Sequence, residues 1–385
     1  MITKFGSLSA GHVDLDNLGL DGTPVNDRWL SDDHLASVFD KSEAIVLAME
    51  RLGYDTFWAP EHHFQREGYE CIPNLLLLFV HLAHLTKNLK FGCGFNVNPM
   101  WHPLRLAEDY APADILTQGR VIFGVGRGYH SREVDTFGVP STNTDNDANR
   151  EIFEEQVEII MKAFNQESFT HQGKHYTLPP EVSYRGYQLK ELTLVPRPAH
   201  LPVETWQPIV SGTDRALNFM AKWGIKGMIL GTGEEYVDDW AHRYQEANAR
   251  AGRELQLGEN LGLGLWCYID DSHEKAEKAL EPLFEEHVKF AAPLGMLRYS
   301  DDNMEQTGPG GAARHIAAGA NFRDVIQKRA WFAGSPEETI AYLKELEDKY
   351  PGLEHIMLGF PMGASVQQFK EQMTRFAKQV MPAFG

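Results

Sequence analysis

Short runs of hydrophobic residues alternate along the chain with longer segments in which hydrophobic positions recur every three to four residues. The short runs are typical of strands buried on both faces, and the longer segments are typical of amphipathic helices. The pattern predicts strands at 2–8, 55–59, 89–97, 121–125, 208–210, 227–230, 261–269 and 355–359. It predicts helices at 34–52, 73–85, 103–118, 149–164, 214–223, 236–251, 273–294, 337–349 and 366–380.

This alternation of strands and helices is the pattern of a (β/α)8 TIM barrel. A doubly wound sheet gives the same local alternation but usually has fewer strands. The strand count and the length of 385 residues favour the barrel, as a single domain over residues 1–385. In such a barrel, functional residues follow the strands on the C-terminal face.

Two segments, at about 166–200 and 295–328, interrupt the alternation and predict insertions. The first is rich in tyrosine and proline and predicts an inserted hairpin or loop. The second contains Gly308-Pro309-Gly310-Gly311, and over residues 300–324 it shows little periodicity. A loop of this length is often functional, so we predict a mobile lid, with a merely tolerated loop as the alternative.

The excess of acidic over basic residues excludes some classes of binding partner. The chain carries 36 Lys and Arg against 54 Asp and Glu, a net charge of −18. Such a surface repels nucleic acid and anionic membranes, so neither is an expected partner. A small anionic ligand can still bind where backbone N–H groups and arginines converge.

The cysteines and the N-terminal residues indicate the compartment. Cys71, Cys93 and Cys267 lie far apart and form no CxxC motif, so neither a disulfide framework nor a thiolate metal site is predicted. The first residues lack the pattern of a signal peptide, and no run approaches the roughly 18 apolar residues of a membrane span. We therefore expect a cytoplasmic protein.

The second predicted strand ends in Glu61-His62-His63, an acid followed by two imidazoles. Because side chains alternate along extended chain, one histidine can face the barrel mouth while the other packs against a neighbour. The alternative is that both only satisfy hydrogen bonds at the strand end. No HxH or HExxH pattern supports a metal site here.

Glycines surround Cys93 at the end of the third predicted strand. Gly92 and Gly94 leave room for a large flat group against the strand, although close packing is the more frequent reason for a glycine in a strand. Cys93 itself is interpreted as a small buried hydrophobic residue.

Two further strand ends could hold an anion. Arg127 lies between Gly126 and Gly128 after the fourth strand, where a flexible backbone and one guanidinium could grip a phosphate or carboxylate. Residues 211–213, Ser-Gly-Thr, precede a helix and could offer N–H donors and hydroxyls, although an ordinary helix cap, by Thr213 or Asp214, is the more frequent reason for such a turn.

Several motifs together resemble the bacterial luciferase-like flavin-dependent monooxygenase family in order and spacing. They are EHHF at 61–64, HPLRLAED at 102–109, QGR at 118–120, FGVGRG at 123–128, AGSPEE at 333–338 and VMP at 380–382. The resemblance spans nearly the whole chain, and the combination is far more specific than any single motif.

The resemblance implies a TIM barrel that binds reduced FMN supplied by a separate NAD(P)H:flavin reductase. Such an enzyme reacts the flavin with oxygen and holds a C4a-(hydro)peroxyflavin that oxygenates a small organic substrate. The resemblance also implies a dimer, with a homodimer expected and a heterodimer as the alternative. A deazaflavin F420-dependent oxidoreductase of the same fold and a non-catalytic flavin-binding relative are alternatives, and a hydrolase using Glu61 and Glu133 is a remote one.

The resemblance also assigns residues. His62 matches the family's active-site histidine, which acts in proton transfer, and His63 matches its neighbour, while Glu133 stands where luciferase has an aspartate. A non-prolyl cis peptide is expected at Gly94-Phe95. The predicted cofactor-binding residues are Gly94, Phe95, Arg127, Gly128, Tyr129, Ser211, Gly212 and Thr213, and no metal is expected.

Overall fold

A closed barrel of parallel strands forms the centre of the protein. The computed structural model describes residues 1–294 and 321–384. The barrel strands are β1 (Lys4–Ser9), β2 (Thr56–Ala59), β3 (Lys90–Cys93), β4 (Val121–Gly126), β5 (Thr205–Pro208), β6 (Lys226–Leu230), β7 (Leu261–Ile269) and β8 (His355–Phe360). β1 pairs with β8 and β2, and pairing of β5 with β4 closes the ring. The predicted TIM barrel is confirmed.

The main helices run between the strands. They are α1 (Asp32–Leu52), α2 (Leu75–Leu85), α3 (Pro103–Thr117), α4 (Asn146–Asn165), α5 (Asp214–Trp223), α6 (Glu234–Arg250), α7 (His273–Ala291), α8 (Pro336–Lys349) and α9 (Val366–Gln379). Their ends follow local chemistry. The hydroxyl of Ser31 caps α1, and Gly53 ends it with a left-handed φ of 78°. Ser335 and Glu338 form a reciprocal capping box at the start of α8.

Large side chains fill the inside of the barrel. They are Leu8, Trp58, Phe95, Ile122, Trp206, Met228 and Met357, all buried. Two glycines make room for the tryptophans. A Cβ added at Gly92 would lie 2.1 Å from Cε3 of Trp58, and one at Gly262 would lie 3.0 Å from Cζ3 of Trp206. The flat group that lies against Gly92 is therefore the indole of Trp58, which is the close-packing alternative.

Three strands differ from the sequence prediction. The third, predicted at 89–97, ends at Cys93, and Asn96–Val97 is a separate short strand that pairs with the end of β4. The fifth strand is Thr205–Pro208 rather than 208–210, because the buried polar side chains of Thr205 and Gln207 break the hydrophobic run. Its partner register, Thr205 with Phe123, places it in the barrel nonetheless. A strand at Trp331–Gly334, absent from the prediction, pairs with the C-terminal half of β7.

The two predicted insertions have different outcomes. Residues 166–200 contain two short antiparallel hairpins, His171–Gln172 with Thr177–Leu178 and Ser183–Tyr184 with Tyr187–Gln188, as predicted. Most of the second insertion, including most of the predicted lid at 300–324, lies outside the described residues. Its last part is a short helix, Phe322–Gln327, rather than a loop.

None of the helices in the described parts of the chain combines the length and the apolar character needed to cross a membrane.

Candidate active site

The C-terminal ends of β2 and β4 bring His62 and Glu133 together. Backbone hydrogen bonds from Glu61 to Phe95 and from His62 to Ile72 hold the loop after β2 against the barrel. His62 is 6% exposed, and its Nδ1 lies 3.1 Å from Oε2 of Glu133 on the short helix Ser131–Val134. Its other ring nitrogen therefore remains available for a second partner.

That second partner is Glu70, which the sequence prediction did not include. The loop after β2 folds back so that Oε1 of Glu70 lies 3.2 Å from Nε2 of His62. The hydroxyl of Tyr129 lies 3.2 Å from the same nitrogen and donates to Glu70 over 3.2 Å. His130 and Gln65 also contact Glu70, at 3.0 Å and 2.7 Å. A carboxylate eight positions away in an irregular loop leaves no periodic signal in a sequence.

Opposite charges determine the protonation state of this cluster. Burial alone would lower the pKa of His62, but Glu70 and Glu133 outweigh it and raise the pKa to about 9. Burial likewise opposes ionisation of Glu133, yet His62 brings the pKa of that carboxyl down to about 2. The pKa of Glu70 is lowered in the same way, chiefly by His62 against the effect of burial. The two carboxylates therefore favour the protonated form of the imidazole that lies between them.

The donor set also resembles a metal site. Ligand atoms of His62, Glu70, His130 and Glu133 all lie within 4.8 Å of one another. However, the amide nitrogen of Gln65 lies 2.7 Å from Oε2 of Glu70 and 3.0 Å from Oε1 of Glu133. The side-chain amide of Gln65 thus already donates hydrogen bonds to both carboxylates, and we assign no metal to the cluster.

His63 and Glu61 belong to a separate set of contacts. Glu61 accepts hydrogen bonds from the backbone N–H of Val97 and from the indole of Trp101, each at 2.8 Å. Nε2 of His63 lies 3.1 Å from Glu61, and its ring packs against Phe137. Glu61 thus ties loops together, while Glu133 faces His62. Each carboxylate is engaged by its own donors, Glu61 by Val97 and Trp101 and Glu133 by His62 and Gln65.

The peptide bond between Gly94 and Phe95 is cis, as the resemblance implies. Phe95 contributes to the packing inside the barrel, and the nearest atom to a Cβ added at Gly94 would be 3.5 Å away. Gly94 therefore has room that Gly92 lacks. Cys93 is fully buried, and burial raises the pKa of its thiol to about 12, as expected for a packing residue rather than a nucleophile.

Arg127 extends from the end of β4 toward the N-terminal turn of α4. Its Nε donates to Asn149 over 3.0 Å, and its Nη2 donates to Oδ1 of Asn146 over 2.6 Å. Burial and the nearby charge of Arg150 lower the pKa of Arg127 to about 10. Gly128 follows with a φ of +74°, where a Cβ would lie 2.5 Å from Val134.

Two more arginines, both missed in the sequence, lie in the same region. Arg150 is 8% exposed on α4, and Nη2 of Arg215 on α5 binds Glu154 at 2.8 Å. Arg150 also lies 3.8 Å from Glu154. The charges of Arg127, Arg150 and Arg215 influence one another. A basic residue on the buried stripe of α4 was the signal that could have revealed Arg150.

The predicted anion turn at Ser211-Gly212-Thr213 leads into the same group of arginines. Thr213 is the N-cap of α5 but its side chain makes no capping hydrogen bond, and Ser211 and Thr213 are exposed. Gly212 has a φ of +53°, and a Cβ there would lie 2.3 Å from the indole of Trp240. The hydroxyls and the first N–H groups of α5 thus lie beside Arg215. Thr213 is therefore the N-cap residue of α5 by its backbone but lacks the side-chain hydrogen bond of an ordinary cap.

Comparison with known proteins agrees with this architecture. The sequence profile of the luciferase-like monooxygenase family matches residues 24–351. The oxygenase component of a flavin-dependent trigonelline monooxygenase from Acinetobacter baylyi is 24% identical over 351 residues, 90% of each chain. The uncharacterized protein y4vJ of Sinorhizobium fredii is 36% identical over 154 residues, which span 40% of this chain and 42% of y4vJ.

Two solved structures share the fold. One is the oxygenating constituent of 3,6-diketocamphane monooxygenase from Pseudomonas putida, a type II Baeyer–Villiger monooxygenase in complex with FMN. Its TM-score is 0.73 at 18% identity, with 99% of each chain covered. An F420-dependent secondary alcohol dehydrogenase gives a TM-score of 0.69 at 16% identity, with 100% of each chain covered. Since the family match covers most of the sequence, this chain belongs to the luciferase-like monooxygenase family.

Proposed function

We propose that this chain is the oxygenase component of a two-component monooxygenase that uses reduced FMN and O2 to oxygenate a small organic substrate. When bound, reduced flavin supplies two electrons with which oxygen is activated. One oxygen atom then enters the substrate and the other leaves as water. The chain itself has to bind the cofactor phosphate, exclude water and manage protons at the barrel mouth.

The observation that carries this proposal is the basic group formed by Arg127, Arg150 and Arg215 beside the N-terminus of α5. In a chain of net charge −18, three guanidinium groups lie near one another, and burial together with the charges of Arg150 and Arg215 lowers the pKa of Arg127. Glu154 pairs with Arg150 and Arg215, whereas Arg127, among the described residues, donates only to neutral groups, on Asn146 and Asn149. A dianionic phosphate would relieve the repulsion among the three arginines and accept hydrogen bonds from Ser211, Thr213 and the first N–H groups of the helix. The residues present therefore fit the phosphate of FMN.

The surroundings of His62 favour a catalytic role for this chain over that of a non-catalytic flavin-binding relative. A charged imidazole held by two buried carboxylates is costly to desolvate, and such arrangements cluster at functional sites. We assign proton chemistry to His62. We assign to His63 a supporting role, since it contacts Glu61 and Phe137 rather than the charged cluster.

Two partners follow from the proposal. The A. baylyi relative is named an oxygenase component, so we propose a separate NAD(P)H:flavin reductase as the source of reduced FMN. We also propose a homodimer. Leu77 on α2 and Leu116 on α3 are 74% and 68% exposed, and these helices pack side by side. A second copy covering that face would remove this apolar surface from water.

An F420-dependent oxidoreductase is the second candidate, because a protein of that class shares the fold. The basic group would accept the phosphate of either cofactor. Binding of reduced FMN and of reduced F420, measured without oxygen, separates the two functions. We expect reduced FMN to bind more tightly, and a preference for reduced F420 would overturn the proposal.

A further inference from the structure

Each ring nitrogen of His62 faces the carboxylate of a buried glutamate, and Nε2 also faces the hydroxyl of Tyr129 at 3.2 Å. Nδ1 lies 3.1 Å from Oε2 of Glu133, and Nε2 lies 3.2 Å from Oε1 of Glu70. A neutral imidazole has one N–H donor and one acceptor, whereas an ionised carboxylate has acceptors only. A neutral ring would thus leave one nitrogen lone pair against a carboxylate lone pair. Only a ring with an N–H on each nitrogen gives both carboxylates a donor.

The carboxylates themselves are placed to stay ionised. Glu70 receives Gln65, Tyr129 and His130 as well as His62, at 2.7–3.2 Å. Glu133 receives the amide of Gln65 at 3.0 Å in addition to the imidazole of His62. Several donors directed at one carboxylate favour its charged form. The second proton of the cluster therefore belongs on the ring of His62 and not on either acid.

The remaining neighbours do not reverse this balance. Glu61, which precedes His62, adds further negative charge, and the ring of His130 lies 5.1 Å from that of His62. On α7, His287 lies within electrostatic reach of Glu70, but burial lowers the pKa of His287 to about 4, so that ring is neutral near pH 7. The pKa of His62, raised to about 9, agrees with the geometry.

We infer that Glu70 is a positioning residue that, together with Glu133, holds His62 as a doubly protonated imidazolium in the resting site. His62 then begins the reaction as a proton donor rather than as a base, a role that rests on the proposed function. Nε2 of His62 also lies 3.2 Å from the hydroxyl oxygen of Tyr129, which gives this nitrogen a second acceptor besides Glu70. Glu133 orients the opposite side of the ring.

The test uses the flavin-free protein, so that it does not depend on the proposed cofactor. Protein labelled with 15N at histidine is titrated by NMR, and the His62 signals are identified by their loss in His62→Asn. We expect both ring nitrogens of His62 to be protonated near neutral pH. In Glu70→Gln, we expect proton affinity to fall at least tenfold, a shift of about 1.4 kcal/mol.

Two further variants guard against misfolding and against a general effect of substitution. Glu133→Gln should lower the proton affinity of His62 in the same direction, which keeps the inference testable if Glu70→Gln does not fold. Tyr129→Phe keeps both carboxylates and should shift the titration of His62 less than either glutamine variant does. A wild-type His62 with one unprotonated nitrogen near neutral pH, or an unchanged titration in both glutamine variants, would overturn the inference. Failure to bind reduced FMN would refute the proposed function alone.

Discussion

Nδ1 of His62 lies 3.1 Å from Oε2 of Glu133, a residue 71 positions later in the chain, and both side chains are buried. The contact joins the loop after β2 to the short helix after β4. Breaking a buried ion pair by removing one partner typically costs about 3 to 5 kcal/mol, because the other charge stays buried without compensation.

Glu133→Gln should therefore destabilise the protein in a pH-dependent way. Because the pKa of His62 is raised from 6.5 to about 9, its contribution to stability is complete below about pH 6.5 and is lost as the pH rises through 9. The pKa of Glu133 is lowered from 4.5 to about 2, so its contribution is complete above about pH 4.5 and is lost as the pH falls through 2. Urea unfolding should show the largest loss, about 3 kcal/mol, between these limits. An equal loss at about pH 10 would contradict the account.

Arg127→Ala should weaken binding of reduced FMN by about tenfold to a hundredfold, the range expected for one charge-assisted hydrogen bond to a phosphate. Anaerobic titration followed by flavin absorbance measures this. Arg132→Ala is the matched control, since Arg132 pairs with Glu67 on the surface. Equal affinities for the two variants would remove Arg127 from the phosphate site.

Gly92→Ala should destabilise the barrel by about 1 to 3 kcal/mol, because the new Cβ would overlap the indole of Trp58. Gly94→Ala provides the comparison, as its Cβ would meet no atom closer than 3.5 Å. Thermal unfolding of the two variants decides the point. A Gly92→Ala protein as stable as wild type would show that Trp58 has another position available.

Removal of divalent metal should leave activity and melting temperature unchanged, because the amide of Gln65 already donates hydrogen bonds to Glu70 and Glu133. The measurement is oxygen consumption and thermal unfolding before and after dialysis against EDTA. Loss of activity that one divalent ion restores would instead favour a metal held by the His62 cluster.

The local pattern of hydrophobic and polar residues was sufficient to predict most of the strands and helices. Helix α5 has the predicted bounds, Asp214–Trp223, because its apolar stripe and the glycine at 224 are both local features. The fifth strand was displaced because Thr205 and Gln207 are buried polar residues, and their burial follows from the closure of the barrel rather than from the sequence nearby. Tertiary context determined that strand.

In the candidate site, too, some residues could be predicted from the sequence and others could not. His62 and Arg127 follow strands and could be selected from the sequence, as could the turn at 211–213. Arg150 was missed, although its position on the buried stripe of α4 was a signal in the sequence. Glu70 could not be selected, because a loop that folds back brings it to His62 only in the folded chain. Gly92 was ambiguous for a similar reason, since its partner Trp58 is on the neighbouring strand.

The most direct test of the central claim is to mix the protein with reduced FMN without oxygen, then admit oxygen and follow flavin absorbance by stopped flow. We predict that reduced FMN binds and that its reoxidation passes through a transient species distinct from reduced and oxidised FMN. His62→Gln should shorten the life of that species and release more hydrogen peroxide. Reoxidation of FMN at the rate of the free cofactor, with no transient in the wild-type protein, would contradict the account.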